Sequence, residues 1–225
     1  MKKPVYVCAL LVAASFLLST PASADVLYDN NLVTANIGST NGYWGIYYNY
    51  VVSDSFTLAE TSTLTGVNLG LWIAAGFTPQ GLSWRISDSH WDTQSNADHG
   101  TDASLTDVTY LRKGSVTINN NVPDVYFASF SLPDVVVGPG THFLTLDWGY
   151  GDHGTLYWDV SNGPSVAYQT GYALKDWGGY LGSNSNSFQI LGSTDTSAVP
   201  EPSSLLLLGT LLAGLGGFIR LKHLV

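Results

Sequence analysis

Between its two ends the chain alternates apolar and polar positions. Leu82, Trp84 and Ile86 are separated by Ser83 and Arg85, and Val67, Leu69, Leu71 and Ile73 by Asn68, Gly70 and Trp72. The same period of two runs through Tyr126, Ala128, Phe130 and Leu132, through Leu144, Leu146 and Trp148, and through Leu156, Trp158 and Val160. Phe56 with Leu58, and Val116 with Ile118, are shorter instances. Successive strand side chains point to opposite faces, so each set predicts a β-strand with one buried and one wet face. Gly76 to Gly81, Asn119-Asn120-Asn121, Gly138-Pro139-Gly140 and Asn162-Gly163-Pro164 carry turn chemistry between the sets. No stretch of residues 25–192 sustains a helical period. Short strands that are each apolar on one side are satisfied by two sheets packed face to face. The expected fold is therefore an all-β, antiparallel β-sandwich, jelly-roll-like, with a closed barrel as the alternative. On this pattern Trp84, Trp148 and Trp158 belong to the core.

The ends break the pattern. Lys2 and Lys3 precede an apolar run from Val5 to Leu18, and Ala22-Ser23-Ala24 closes it with small residues. This is the layout of a secretory signal peptide over 1–24, cut between Ala24 and Asp25, and it implies Sec-type export machinery and signal peptidase as partners. The only cysteine, Cys8, lies inside that segment, which leaves the exported part without a thiol for a disulfide, a zinc site or a nucleophile. At the other end, Pro200-Glu201-Pro202 is followed by uncharged residues from Ser203 to Ile219, then Arg220, Lys222 and His223. As a helix those 17 residues reach about 25 Å, a short membrane span that the basic pair extends by snorkelling. Basic residues stay on the cytoplasmic side, so the preceding domain lies outside. The expected organisation is a signal peptide at 1–24, a sandwich ectodomain at 25–192, a flexible linker at 193–198 and a sorting signal with transmembrane helix and basic tail at 199–225.

Val199-Pro200-Glu201-Pro202, the apolar stretch and the short basic end together resemble the PEP-CTERM sorting signal of bacteria that carry an exosortase. The resemblance implies an exosortase-like membrane protease as partner, with Pro200, Glu201 and Pro202 as its recognition motif. It also implies an inner-membrane-tethered intermediate, a cell-surface or extracellular destination, and association with exopolysaccharide or biofilm matrix. Val26-Leu27-Tyr28-Asp29-Asn30, Ser55-Phe56-Thr57-Leu58 and Tyr157-Trp158-Asp159 resemble segments of other PEP-CTERM ectodomains, for which no activity is implied.

Charge narrows the function. Residues 25–199 hold four basic side chains (Arg85, Arg112, Lys113 and Lys175) against 16 acidic ones, a net charge of −12. Such a surface repels phosphate backbones, which excludes nucleic acid as a partner. The acids are densest from Asp88 to Asp107. Asp88, Asp92, Asp98 and Asp102 are candidate calcium ligands, calcium being the one cofactor this composition suggests, but they lack the spacing of an EF-hand loop. A solvated acidic loop is the competing reading. His90, His99, His142 and His153 show none of the spacings that mark zinc.

Aromatic residues offer a second candidate. Trp44, Tyr47, Trp72, Trp91, Trp177 and Tyr180 fall in Gly- and Asn-rich loops or on wet strand faces. Flat rings beside Asn and Asp suit carbohydrate, since the rings stack on apolar sugar faces while polar neighbours bond the hydroxyls. The alternative is that these rings close the ends of the sandwich. No nucleophile elbow, P-loop or H-E-x-x-H occurs. The sequence therefore points to a non-enzymatic surface or matrix protein. The alternatives are a secreted carbohydrate-active enzyme built on Asp pairs, such as two among Asp147, Asp152 and Asp159, or a structural spacer without ligand.

Overall fold

The computed structural model describes residues 24–33, 36–38, 42–47, 50–90, 99–117, 120–171 and 185–194. Within these residues the chain forms strands and turns only. The strands are β1 (Asp25–Asp29), β2 (Tyr43–Gly45), β3 (Tyr50–Leu58), β4 (Ser62–Ile73), β5 (Pro79–Ser87), β6 (His99–Ser104) and β7 (Thr106–Lys113). They continue with β8 (Asp124–Val137), β9 (Gly140–Gly151), β10 (Leu156–Ser161), β11 (Ala167–Gly171), β12 (Ser185–Asn186) and β13 (Phe188–Thr194). Two antiparallel sheets result, as the alternating pattern predicts. One is five-stranded, in the order β11-β3-β9-β5-β6. The other contains the row β1-β13-β4-β8-β7, with β10, β2 and β12 joined beside it.

The inner faces supply one core. Val67, Leu69, Leu71, Ile73, Ala128, Phe130, Trp158 and Ile190 from the larger sheet meet Val52, Phe56, Leu82, Trp84, Ile86, Leu144 and Leu146 from the smaller. Trp84 lies 6.2 Å from Phe130 between ring centroids, and Trp158 meets Phe188 edge-on at 5.5 Å. Burying aromatic rings of this size supplies much of the drive for sandwich packing.

A second, smaller cluster lies on the opposite side of the larger sheet. Trp72 alternates with Leu71 and Ile73 and so faces outward, yet it is wholly buried with Leu32, Ile37 and Val125. Tyr43, Leu111, Val116, Phe127 and Tyr157 pack around this group. The connection after β1 and the turn after β7 cover this part of the sheet. Val116 therefore sits in a bend rather than in the strand its spacing suggests.

A fork organises the larger sheet. β8 pairs with β4 along one edge from Ser62 to Ile73. On the other edge β13 pairs from Ser62 to Leu69, whereas β10 pairs from Leu71 to Ile73. The chain from Ser185 to Thr194 wedges between β4 and β10 where they diverge, with Gly70 N–H donating to Ser187 O and Ser187 N–H to Asp159 O. Gly70 is required there, because an added Cβ would stand 2.7 Å from Ile37 Cγ2 and 3.1 Å from Asp159 Cβ.

Register also fixes the polarity of the domain. Asp25 lies opposite Gly192, and Thr194 opposite Ser62, so both ends of the sandwich leave at one pole. β13 runs through Thr194, two residues past the expected end of the sandwich at 192. The opposite, distal pole carries the turn from Ile73 to Pro79 and the hairpin between β9 and β10, where Tyr150 bridges to Thr155.

Candidate functional site

The densest polar constellation is interior. Asp159, next to the fork, accepts hydrogen bonds from Trp72 Nε1 at 2.6 Å, Gly38 N at 2.9 Å and Ser187 Oγ at 2.6 Å. Burial raises its carboxyl to about 6, and these donors limit the rise. Asp54, on β3 of the other sheet, accepts from Asn186 N at 2.5 Å and Asn30 Nδ2 at 3.5 Å. Asn30 Nδ2 also reaches Asn186 O and Ser165 Oγ, each at 2.6 Å. Burial pushes Asp54 up to about 7. Asn30, Asp54, Asp159, Ser161 and Asn186 are all at most 5% exposed. Asp54 faces the core between the sheets, whereas Asp159 lies on the outer side of the larger sheet with Trp72; joined through Asn186 and Ser187 they form a seam in which both carboxylates are buried.

The three aspartates considered as catalytic partners do not converge. Asp159 is locked in the seam. Asp147, on β9, pairs with Arg85 of β5 on the outer side of the smaller sheet. Asp152 lies exposed in the distal hairpin and accepts from Thr78 N at 2.8 Å and His153 N at 3.0 Å, bonds that hold its carboxyl below the usual range.

The candidate calcium ligands separate as well. Asp88 pairs with His142 Nδ1 at 2.7 Å near the chain-end pole, and His142 Nε2 lies 2.9 Å from Gly138 O. Asp102 sits opposite Ser83 on the neighbouring strand and accepts its hydroxyl at 2.5 Å. From Ser83 to Asp88 is about 17 Å of extended chain, so Asp88 and Asp102 cannot share an ion whose ligands stand within about 2.6 Å of it. Asp92 and Asp98 lie outside the described residues. Among the described residues no three acidic, histidine or cysteine side chains gather as a metal site.

Two of the six candidate sugar-binding aromatics are misplaced by the sequence pattern. Trp72 is sealed in the second cluster, and Trp44, opposite Trp158 on β10, joins the main core at 6% exposure. Neither ring presents a face to solvent. Tyr47 is half-buried in a row of rings that descends from Tyr50 (4.9 Å) through Tyr47 to Tyr157 (5.6 Å), Tyr43 (4.9 Å) and Trp72 (5.4 Å). Trp91, Trp177 and Tyr180 lie outside the described residues, as do Pro200, Glu201 and Pro202. Ala24 and Asp25, the expected cleavage junction, are exposed at the chain-end pole, where a cut would leave β1 whole.

Trp148 is the reverse case. Its spacing from Leu144 and Leu146 predicts a core position, but it is 48% exposed. Ser83 pairs with Asp147 and Gly81 with Tyr150, so two steps on β5 match three on β9. This β-bulge turns the backbone, and Trp148 takes the left-handed conformation at φ 48°. Tyr150, 51% exposed, lies over Gly81, where an added Cβ would stand 2.6 Å from its hydroxyl. Gly81 and Ser83 share the outer face of β5, so the Tyr150 ring sits beside the Ser83–Asp102 pair. The run Trp148-Gly149-Tyr150-Gly151 was the available signal, because paired glycines interrupt the apolar period there.

Residues 198–220 match the PEP-CTERM protein-sorting motif. No curated protein matches the chain. The motif marks the chain as a PEP-CTERM domain-containing protein, a substrate for sorting to the cell surface by an exosortase-type membrane protease. In sequence it begins four residues after Thr194, the end of β13.

Proposed function

We propose that this protein is a non-enzymatic component of the bacterial surface or biofilm matrix, whose sandwich binds exopolysaccharide or matrix partners. The chain is exported by its signal peptide, held in the inner membrane by its tail, and then processed to a surface or extracellular form. The reading rests on one observation. Both sandwich ends leave at one pole, with the sorting motif beginning four residues after Thr194 in sequence, while among the described residues the exposed aromatics Tyr50, Tyr110, Trp148 and Tyr150 lie in the distal half. An anchored domain of this polarity turns its ring-bearing half away from the membrane. The buried or separated aspartates support a binding role over hydrolysis.

The test combines mass measurement and fractionation in the native host with a matrix-retention assay. A surface form that has lost its apolar tail, that stays with the polysaccharide fraction, and whose processing stops when Pro200, Glu201 and Pro202 are replaced is the expected result. Release of the protein from the matrix by washing alone, or cleavage of host polysaccharide by the purified chain, would refute the reading.

A further inference from the structure

We infer that Trp148 and Tyr150, with the adjacent Ser83–Asp102 pair, form a binding ledge for an uncharged polysaccharide. This deepens the proposed function by naming the site and the charge class of the ligand, and it rests on that reading. Trp148 belongs to neither buried cluster, yet it occupies a left-handed backbone conformation that disfavours a bulky residue. Glycine would occupy the same φ without strain. Strained positions of this kind concentrate where a side chain is presented to a ligand. The bulge brings Asp147 and Tyr150 onto one side of the sheet although they are three residues apart, and it leaves Trp148 exposed between them. The register that places Val52 opposite Leu146, carried two residues further, sets exposed Tyr50 at the level of Trp148.

The polar side of the ledge fits hydroxyl groups. Asp102 is exposed and uses Oδ1 to accept from Ser83, a pairing that holds its carboxylate beside the Tyr150 ring. A carboxylate in this position accepts from sugar hydroxyls, while the rings take an apolar sugar face. The charges select against polyanions. Arg85 on this face is paired with Asp147, which among the described residues leaves Asp102 as the exposed charge beside the ring, within a domain of net charge −12.

The full-length protein in mild detergent is run through native gels containing dextran, a soluble β-glucan or galactomannan, with alginate as the anionic counterpart. Retardation by at least one neutral polymer is expected. Trp148→Gly and Tyr150→Ala should each weaken it at least tenfold, while Val136→Ala, exposed on the other sheet near the chain-end pole, leaves it unchanged. Trp148→Gly keeps the left-handed backbone, so near-ultraviolet circular dichroism of a folded sandwich accompanies its loss of binding. Equal retardation of Trp148→Gly and wild type would overturn the ledge while leaving the matrix role standing. Retardation in alginate alone would overturn the uncharged ligand. Failure to bind every neutral polymer together with the host's own matrix would overturn both the ledge and the proposed function.

Discussion

Replacing Asp54 with asparagine tests the buried seam through the pH dependence of folding. The carboxyl sits near 3.8 in an unfolded chain and is pushed up to about 7 in the sandwich, while Asp159 is raised from 3.8 to about 6. In both cases the folded protein holds a proton that the unfolded chain has released. Stability is therefore present at low pH and is lost as pH rises from near 4 through 6 and 7. One pKa unit corresponds to about 1.4 kcal/mol. Between pH 5 and pH 8 Asp54 accounts for a loss of about 3 kcal/mol and Asp159 for about 1 kcal/mol. The total of about 4 kcal/mol is a large share of the stability of a domain this size.

The assay is urea unfolding of residues 25–194, followed by tryptophan fluorescence at pH 5, 6, 7 and 8. Wild type should lose stability steadily as pH rises. Asp54→Asn keeps an acceptor for the Asn186 N–H but cannot ionise, so its profile should flatten, falling by only about 1 kcal/mol through Asp159. The variant should then exceed wild type at pH 8. Self-repulsion among the many surface acids also grows with pH, but the substitution leaves that background almost intact, which is why the difference between the two profiles is decisive. Parallel profiles would refute the claim that Asp54 titrates inside the folded seam.

Three further substitutions probe other joints. Trp72→Phe retains an aromatic ring beside Tyr43 but removes the N–H that Asp159 accepts; it should cost about 1–3 kcal/mol in urea unfolding at pH 7. Gly70→Ala drives a methyl group to 2.7 Å from Ile37 Cγ2 and 3.2 Å from Ser187 Cβ, and overpacking of that kind should lower stability by about 1–3 kcal/mol, seen as a fall in Tm. Asp147→Ala leaves the Arg85 guanidinium, largely shielded from water, without its carboxylate, and should destabilise by about 3 kcal/mol in denaturant titration.

The strands with the cleanest alternation were legible because both their faces are simple. Leu82, Trp84 and Ile86 face the core from β5, and Ala128, Phe130 and Leu132 do so from β8. β1 and β7 carry no such signal: they are edge strands with mostly exposed side chains, so burial imposes little period on them. Trp72 misled because alternation assigns only a face, and here a covering connection buries the second face too. Trp148 misled for the opposite reason, since one inserted residue at a bulge breaks the parity that places Leu144 and Leu146 inside. Asp54 shows a deeper limit. It alternates with Ser53 and Ser55 and takes an inward position, but its donors come from Asn30 and Asn186, respectively 24 and 132 residues away in sequence. No local pattern carries that pairing.

Under the proposed anchoring by the C-terminal segment, the placement of the seam has a mechanical consequence. Load from the tail enters at Thr194 and runs up β13. That strand is paired on both edges, to β1 from Asp25 to Asp29 and to β4 from Ser62 to Leu69, so a pull along its axis must shear two ladders at once. Just above β13, Ser187 donates to Asp159 of one sheet, and Asn186 donates to Asp54 of the other. The last strand is thus tied to both layers at the point where it would otherwise slide. Apolar side chains of equal volume could fill that space, but they would not fix one register for the segment, whereas hydrogen-bonded buried groups disfavour every shifted pairing that leaves them without partners. Buried carboxylates with raised pKa values are the cost of that specificity: burial outweighs the Asn186 N–H bond, which by itself favours the ionised form of Asp54, so the folded state as a whole is favoured most at low pH.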